Sequence, residues 1–574
     1  MLETTRYNVF ADAGAFRVAI RRLLYWVGFV ARDRVTLSAI TIGVAAYGLV
    51  LECSSLGRSL WLDEAWVANS ISAPSLAGMF YYPAWLQSSP PLFLLLVRTV
   101  VAVFGLSNTA LRAVPVAMGI LAALAMLLFA LRILSRQYAV LAWILLFLSP
   151  VEVSYSRQLK QFSSELAATT LILLVCAVYI KSGTPRRFWL LTATVVAGLL
   201  SGYAIAFLLP GIAFTILLSP VGSGTLSGPK AYLSSRFARA CLFTLIAGGT
   251  LAGEYRLFVI PNSPAALHTD WDKDSAVESF PSVAASDSYK LIGELPLNHR
   301  LQQQGLRLTV VGFTILGGLI LAWLRFRKGR RKWFLIQTFC LLPCLLIIVS
   351  DRFNWYPFTE RTSLFALPCL IAAMVSSLQL LSFFVLKGRR EWLRPIVDVM
   401  VLSTILMTLI AGYSKNYRVL APSEDMDGAV SFLQAQVAPE DFLWVHASCS
   451  EAFKLCVRMS KWQDPPARYG HTGWPCCARG IPNTKDTSSE ALVRSDFGNA
   501  LPANFSGRVW LLYTTRPEHW RDLADEPRFM QTILRERGCT QTPTPTFFNV
   551  RVSAFDCKAG ATNLASNLTE AKLR

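Results

Sequence analysis

From Val35 to Ser414 the chain alternates long apolar runs with short polar breaks, and each uninterrupted run is close to the ~20 residues a helix needs to cross a bilayer. The breaks are of two kinds. Basic clusters lie at Arg132 to Arg136, Lys181 to Arg187, Lys230 to Arg239, Arg325 to Lys332 and Lys387 to Arg394. Between them fall the Asp63 loop, Ser154 to Glu165, the acidic stretch Asn262 to Arg307, Asp351 to Arg361, and everything after Ser414. Basic loops favour the cytoplasmic side, so the second set is expected outside. The alternation holds if the apolar stretch Pro91 to Gly105 does not cross. It is short for a span, opens on Pro90 and Pro91, and carries Arg98 in its middle. The pattern predicts a polytopic α-helical membrane protein of about 11 transmembrane helices plus juxtamembrane helices, with its amino end inside and its carboxyl end outside. Residues 1–34, rich in arginine among apolar positions and followed by no small-residue cleavage site, read as a cytoplasmic basic amphipathic segment.

After Ser414 the periodicity changes. Asp441 to Ala447, Arg508 to Thr514 and Phe547 to Phe555 read as strands, Met426 to Val437 and Glu518 to Arg537 as helices. Residues 415–574 are therefore expected to form a soluble α/β domain outside the membrane. Six of the chain's 12 cysteines lie there, at 449, 456, 476, 477, 539 and 557, which suggests disulfides in an oxidising compartment. Their pairing stays open, although Cys449 and Cys456 cannot bridge across continuous helix, where their Cα atoms would stand about 10 Å apart. His446 and His471 lack a ligand-like spacing to these cysteines, so no metal site is expected.

Composition agrees with the pattern: 53% of residues are hydrophobic, 16% are charged, and mean hydropathy is +0.42. The net charge of +19 sits in the basic loops and is better explained by membrane topology than by a nucleic-acid partner.

Chemistry concentrates at LWLDEAWVA, residues 60–68, where Asp63 and Glu64 form an acidic pair at the edge of the first span. Such a pair at the bilayer edge is a candidate reaction centre. Helix capping by Asp63 is the structural alternative. The acidic run around Trp271, with Asp270, Asp272 and Asp274, offers either a solvated loop or a sugar-stacking surface, and lacks the remaining residues of a calcium loop. No nucleotide fingerprint is present, and no cofactor is required; a divalent cation is compatible.

Several motifs then occur in order: LDEAW around Asp63, SPPLFLLL at Ser89 to Leu96, LRAVP at Leu111 to Pro115, SPVEVSYSRQLKQFS at Ser149 to Ser163, and YPFTERTSLFALP at Tyr356 to Pro368. Together they resemble the GT-C-fold membrane glycosyltransferases of the protein mannosyltransferase and lipid A aminoarabinose transferase group. The resemblance covers roughly residues 35–414. It implies a GT-C-like catalytic domain in the plasma (inner) membrane, a polyprenyl-phosphate-linked sugar as donor, and transfer to a lipid, glycan or protein acceptor of the envelope with inversion at the sugar. Asp63 would be the base that deprotonates the acceptor, Glu64 would orient Asp63, bind the acceptor or contact a divalent ion, and Arg157, Lys160, Arg361 and Tyr356 would bind substrate, the cations holding the departing phosphate. The chain departs from the family at Gln158, Lys160 and Phe162, where an acid, an arginine and a tyrosine are usual, and at Ser89, where histidine or lysine is common. Lysine keeps the charge but not the bidentate geometry. A transporter or flippase of lipid-linked sugars would share the span count, yet it would be expected to show internal repeats, and none is evident. A polymerase-like factor acting on lipid-linked glycans is the other alternative.

Overall fold

The computed structural model describes residues 34–82, 89–218, 229–262, 331–353, 356, 361–386, 424–470, 489–515 and 526–558, with a few helical residues between 316 and 324. The amino-terminal segment, the Trp271 run, the apolar stretch before Ser414, and Cys476 and Cys477 lie outside these residues.

Helix α1 covers Arg34–Cys53, followed by α2 (Leu62–Ile71), α3 (Leu76–Phe80), α4 (Pro91–Phe104) and α5 (Asn108–Ile133). Next come α6 (Arg136–Phe147), α7 (Pro150–Ser156), α8 (Phe162–Ser182) and α9 (Pro185–Ser201). After a 3₁₀ turn at Tyr203–Leu208 the chain forms α10 (Leu209–Leu218), α11 (Pro229–Glu254), α12 (Arg331–Arg352) and α13 (Leu367–Leu386). Local sequence sets many of these starts. Pro91, Pro150 and Pro185 occupy the first turn, where the missing amide costs nothing, and Ser75 and Ser107 cap α3 and α5 by accepting from Gly78 N and Ala110 N.

Among the described residues four helices are long and apolar enough to cross a membrane, or five if the bent pair α6–α7 is one span. Helix α5 is amphipathic only in size. Its buried face carries Ala122, Ala123, Met126 and Ala130 and packs along α8, while Leu124, Leu128 and Leu131 line the exposed face. Small residues bring helices close where hydrocarbon gives no hydrophobic drive, and large apolar ones face lipid. Helix α4, with 14 residues, is about 21 Å long, well short of the ~30 Å hydrocarbon. Arg98, the residue that interrupts its apolar run, donates to the carbonyl oxygens of Ile71 and Ala73 at 3.4 and 2.9 Å, closing the carboxyl end of α2.

The C-terminal part contains α14 (Met426–Gln436), β1 (Phe442–Val445), α15 (Ser450–Ser460), β2 (Ala467–Tyr469), α16 (Ser489–Ala500), β3 (Gly507–Thr514), α17 (Glu526–Glu536), β4 (Thr540–Thr542), β5 (Thr546–Phe547) and β6 (Val550–Cys557). Strand order is β2-β1-β3-β6-β4; β1 runs parallel to β2 and β3, and β6 antiparallel to β3, β4 and β5. Both sheet faces are covered, one by α14 and α15, the other by α16 and α17. A described element falls within each expected strand and helix; of the expected Glu518–Arg537 helix only Glu526–Glu536 is seen, residues 518–525 lying outside the described residues. Asn549, at φ 54°, splits the expected Phe547–Phe555 strand into β5 and β6. Sequence periodicity did not reveal α15, β2, α16 or β4. Cys539 and Cys557 are bridged; Cys449, just before α15, and Cys456, within it, form no disulfide and are buried.

Candidate functional site

Helix α2 starts at Trp61, so Asp63 and Glu64 stand in its first turn, where carboxylates complement the amino-terminal end of the helix dipole. Adjacent residues on a helix point about 100° apart, and the two acids have opposite surroundings.

Glu64 faces inward and is 1% exposed. Its Oε1 accepts from Arg112 Nε at 3.0 Å and Leu159 N at 2.8 Å; its Oε2 accepts from Arg112 Nη2 at 2.8 Å and Trp61 N at 3.4 Å. Two donors on each oxygen saturate a carboxylate. The other donors of Arg112 go to the carbonyl oxygens of Leu56 at 3.0 Å, Ser59 at 3.1 Å, and Arg58. All five guanidinium N–H groups are used, and they hold the loop before α2 to the start of α5. With its acceptor positions occupied in this way, Glu64 has the surroundings of a residue that orients Asp63, one of the three roles the sequence leaves open, rather than of one that contacts acceptor or a divalent ion.

Asp63 faces the other way. Its side chain is 14% exposed; Lys160 Nζ is 3.6 Å and Arg361 Nη1 3.9 Å from its Oδ2. Lys160 lies in the turn between α7 and α8 with its side chain 5% exposed. Burial pushes its pKa below the usual lysine value, and Asp63 opposes that shift. Arg361, preceding α13, is 42% exposed and open to solvent on its far side. Three sequence-distant residues thus converge on one point.

The remaining predicted residues are placed differently. Tyr356 is half-buried, its ring edge-on to Phe207 at 5.3 Å between centroids and its hydroxyl donating to Thr362 O at 3.5 Å, beside the Arg361 turn. Arg157 is fully buried, donating to Val153 O at 2.8 Å and Ser54 Oγ at 3.1 Å, while its own carbonyl accepts from Arg58 Nη2 at 3.2 Å. Its charge faces Glu52 and Glu152. The structure therefore separates Arg157 from the Asp63 group. Sequence reasoning missed Arg112, although the LRAVP motif contains it.

Among the described residues no group of three or more His, Cys, Asp and Glu side chains is arranged so that it could hold a metal ion. Asp63 has two cations against it and its acidic neighbour is saturated, a set that does not suit a divalent cation.

Residues 88–246, which carry Arg112, Lys160 and the helices holding them, match the family described as dolichyl-phosphate-mannose-protein mannosyltransferase. The membrane part has the GT-C fold, and this stretch of it is similar to the protein mannosyltransferase group. The same fold is seen in the oligosaccharyltransferase of Archaeoglobus fulgidus, solved with a tethered acceptor peptide: TM-score 0.51 and 14% identity, over 90% of this chain and 74% of that one. ArnT from Cupriavidus metallidurans, solved with undecaprenyl phosphate, is similar over 91% of this chain and 98% of its own, with 13% identity and a TM-score of 0.47. Among curated proteins none matches the sequence. The GT-C domain thus places its Asp63 group at the junction of α2, the α7–α8 turn and the turn before α13.

Proposed function

We propose that this glycosyltransferase moves a sugar from a polyprenyl-phosphate carrier to an acceptor hydroxyl at the outer face of the plasma membrane, with inversion at the anomeric carbon. The observation that carries the reading is the placement of Asp63 against Lys160 and the solvent-open Arg361. Asp63 Oδ takes the proton of the acceptor hydroxyl. As the acceptor oxygen bonds to the anomeric carbon, the bond from that carbon to the carrier phosphate oxygen breaks, and the electron pair leaves on the phosphate. Arg361 and Lys160 hold that developing charge, Arg361 with the planar fork suited to a phosphate. Tyr356 borders the donor beside Arg361. Arg157 supports the α7–α8 turn from below, and Glu64 positions Asp63 without touching substrate.

A disulfide between Cys539 and Cys557 supports placement of the C-terminal domain on the oxidising side, with the amino terminus in the cytoplasm. The acceptor is an envelope lipid, glycan or protein. The deciding experiment measures transfer from a panel of radiolabelled polyprenyl-phosphate sugars in membranes containing equal amounts of wild type or Asp63→Asn. Wild-type transfer that Asp63→Asn abolishes is expected and names the donor. Equal transfer by both proteins would remove Asp63 as base.

A further inference from the structure

The helix that carries Asp63 is held from two sides. On the membrane side Arg112 grips Glu64 and the loop before it. On the other side the C-terminal domain reaches the same helix. Asn69, further along α2, donates from Nδ2 to Glu451 Oε2 at 3.0 Å and Glu451 O at 2.9 Å. Glu451, in the first turn of α15, is buried; it also accepts from Tyr82 Oη at 2.7 Å and from Lys454 Nζ at 2.6 Å.

A second tie lies near the other end. Asn108 Nδ2 donates to Asp427 Oδ2 at 2.8 Å, and Asp427 N donates to Ser59 Oγ at 3.1 Å. Ser59 is one of the residues whose carbonyl Arg112 holds, and Asn108 sits one helical turn before Arg112. Between the two ties runs one apolar core: Ala65, Val67 and Ala68 of α2 belong to the same cluster as Ala452, Phe453 and Leu455 of α15.

We propose that the C-terminal domain is a brace for the reacting carboxylate and that Glu451 is its positioning residue. This rests on the reading of Asp63 as base. Asn69 is about 9 Å along the helix axis from Asp63. With Glu64 fixed by Arg112, loss of the Asn69 tie lets α2 pivot about that pair, and Asp63, adjacent to the pivot, turns relative to Lys160 and Arg361. A displacement of about 1 Å at a reacting group can cost roughly 10²-fold in rate. The helix would then be set by a domain that itself contributes no reacting atom.

The test uses the full-length protein in membranes, with the donor found active for wild type, and compares Glu451→Ala, Asn69→Ala, Glu451→Gln and Asp63→Asn. Glu451→Ala and Asn69→Ala should lower kcat between about 10- and 10²-fold while the donor KM stays within about twofold. Glu451→Gln keeps an acceptor for Asn69 and should restore most of the rate. Hydrogen exchange, read by mass spectrometry on the same proteins, should rise in residues 62–71 of Glu451→Ala and stay unchanged in β3. Wild-type kcat and wild-type exchange in Glu451→Ala would overturn the proposal. So would losses that follow folded-protein abundance and are shared by Glu451→Gln. An inactive Asp63→Asn beside a fully active Glu451→Ala overturns this inference alone; an active Asp63→Asn overturns the base assignment beneath it.

Discussion

Arg112 and Glu64 meet through two parallel charge-assisted bonds, of 3.0 and 2.8 Å, with both side chains out of contact with water. Replacing one partner leaves the other as an unpaired buried charge, which costs about 3–5 kcal/mol. Arg112→Ala is therefore expected to lower the thermal midpoint of the detergent-solubilised protein and to abolish transfer, because the loop from Leu56 to Ser59 and the start of α2 lose their common anchor. Arg112→Lys should recover part of the stability and little activity, since an ammonium cannot serve both carboxylate oxygens and three carbonyls. A wild-type midpoint for Arg112→Ala, measured by size-exclusion chromatography after heating, would contradict this account.

Lys160 gives the reaction a pH dependence with a defined sign. Its pKa is lowered chiefly by burial, so its ammonium is lost as pH rises through a value below the ordinary lysine range. If Lys160 holds the donor phosphate as proposed, that charge is present at lower pH and absent above that value. The rate constant kcat/KM for donor should accordingly fall on the alkaline side, and Lys160→Arg should move that fall to higher pH, because a guanidinium stays protonated. An alkaline limb at the same pH in both proteins would assign it to another group.

Arg361 is the more exposed of the two cations beside Asp63, 42% against 5% for Lys160, and on the proposed reading it meets the donor phosphate. Arg361→Ala is expected to lower kcat/KM for the donor between about 10- and 10³-fold, the range found when a donor that stabilises leaving-group charge is removed. Arg361→Lys should fall between the two. A change confined to the acceptor KM would place Arg361 on the acceptor rather than on the phosphate.

The bridge between Cys539 and Cys557 closes a loop with a sequence separation of 18 and ties the strand β4 edge to the end of β6. Loop-closure entropy for a segment of that size is worth about 3 kcal/mol. Replacing both by serine should lower the unfolding midpoint of the C-terminal domain, followed by hydrogen exchange in β4 and β6. Cys449 and Cys456, buried in the same domain, should resist a thiol reagent until the domain unfolds; rapid labelling in the native protein would show that α15 does not keep them packed.

The local pattern of the chain was enough for its class. Runs near the length of a bilayer core, basic breaks between them and the change of periodicity after Ser414 follow from the period of a helix, the period of a strand and the cost of charge in hydrocarbon, all readable in a short window. Asp63 was singled out as a candidate on similar local grounds, because an acid at a membrane edge is unusual. The strands at Phe442–Val445 and Gly507–Thr514 are legible for the same reason: each is a short, strongly apolar run. The α15 helix was not, since its buried residues face a neighbouring domain whose presence no local window shows.

Sequence by itself pointed to a chain of apolar helices with an acidic pair after the first apolar run and a stretch of α/β periodicity after the last. Only the tertiary structure decided what surrounds each member of the pair. Asp63 and Glu64 are neighbours in sequence, but the helix turns one toward Lys160 and Arg361 and the other into the Arg112 fork. Likewise Arg157 and Lys160 share one motif, yet the turn between α7 and α8 buries Arg157 and brings Lys160 to the carboxylate. Spacing along the chain tells how residues are arranged on one element; which residues of other elements meet them depends on packing between helices far apart in sequence, and that packing exists only once the chain has folded.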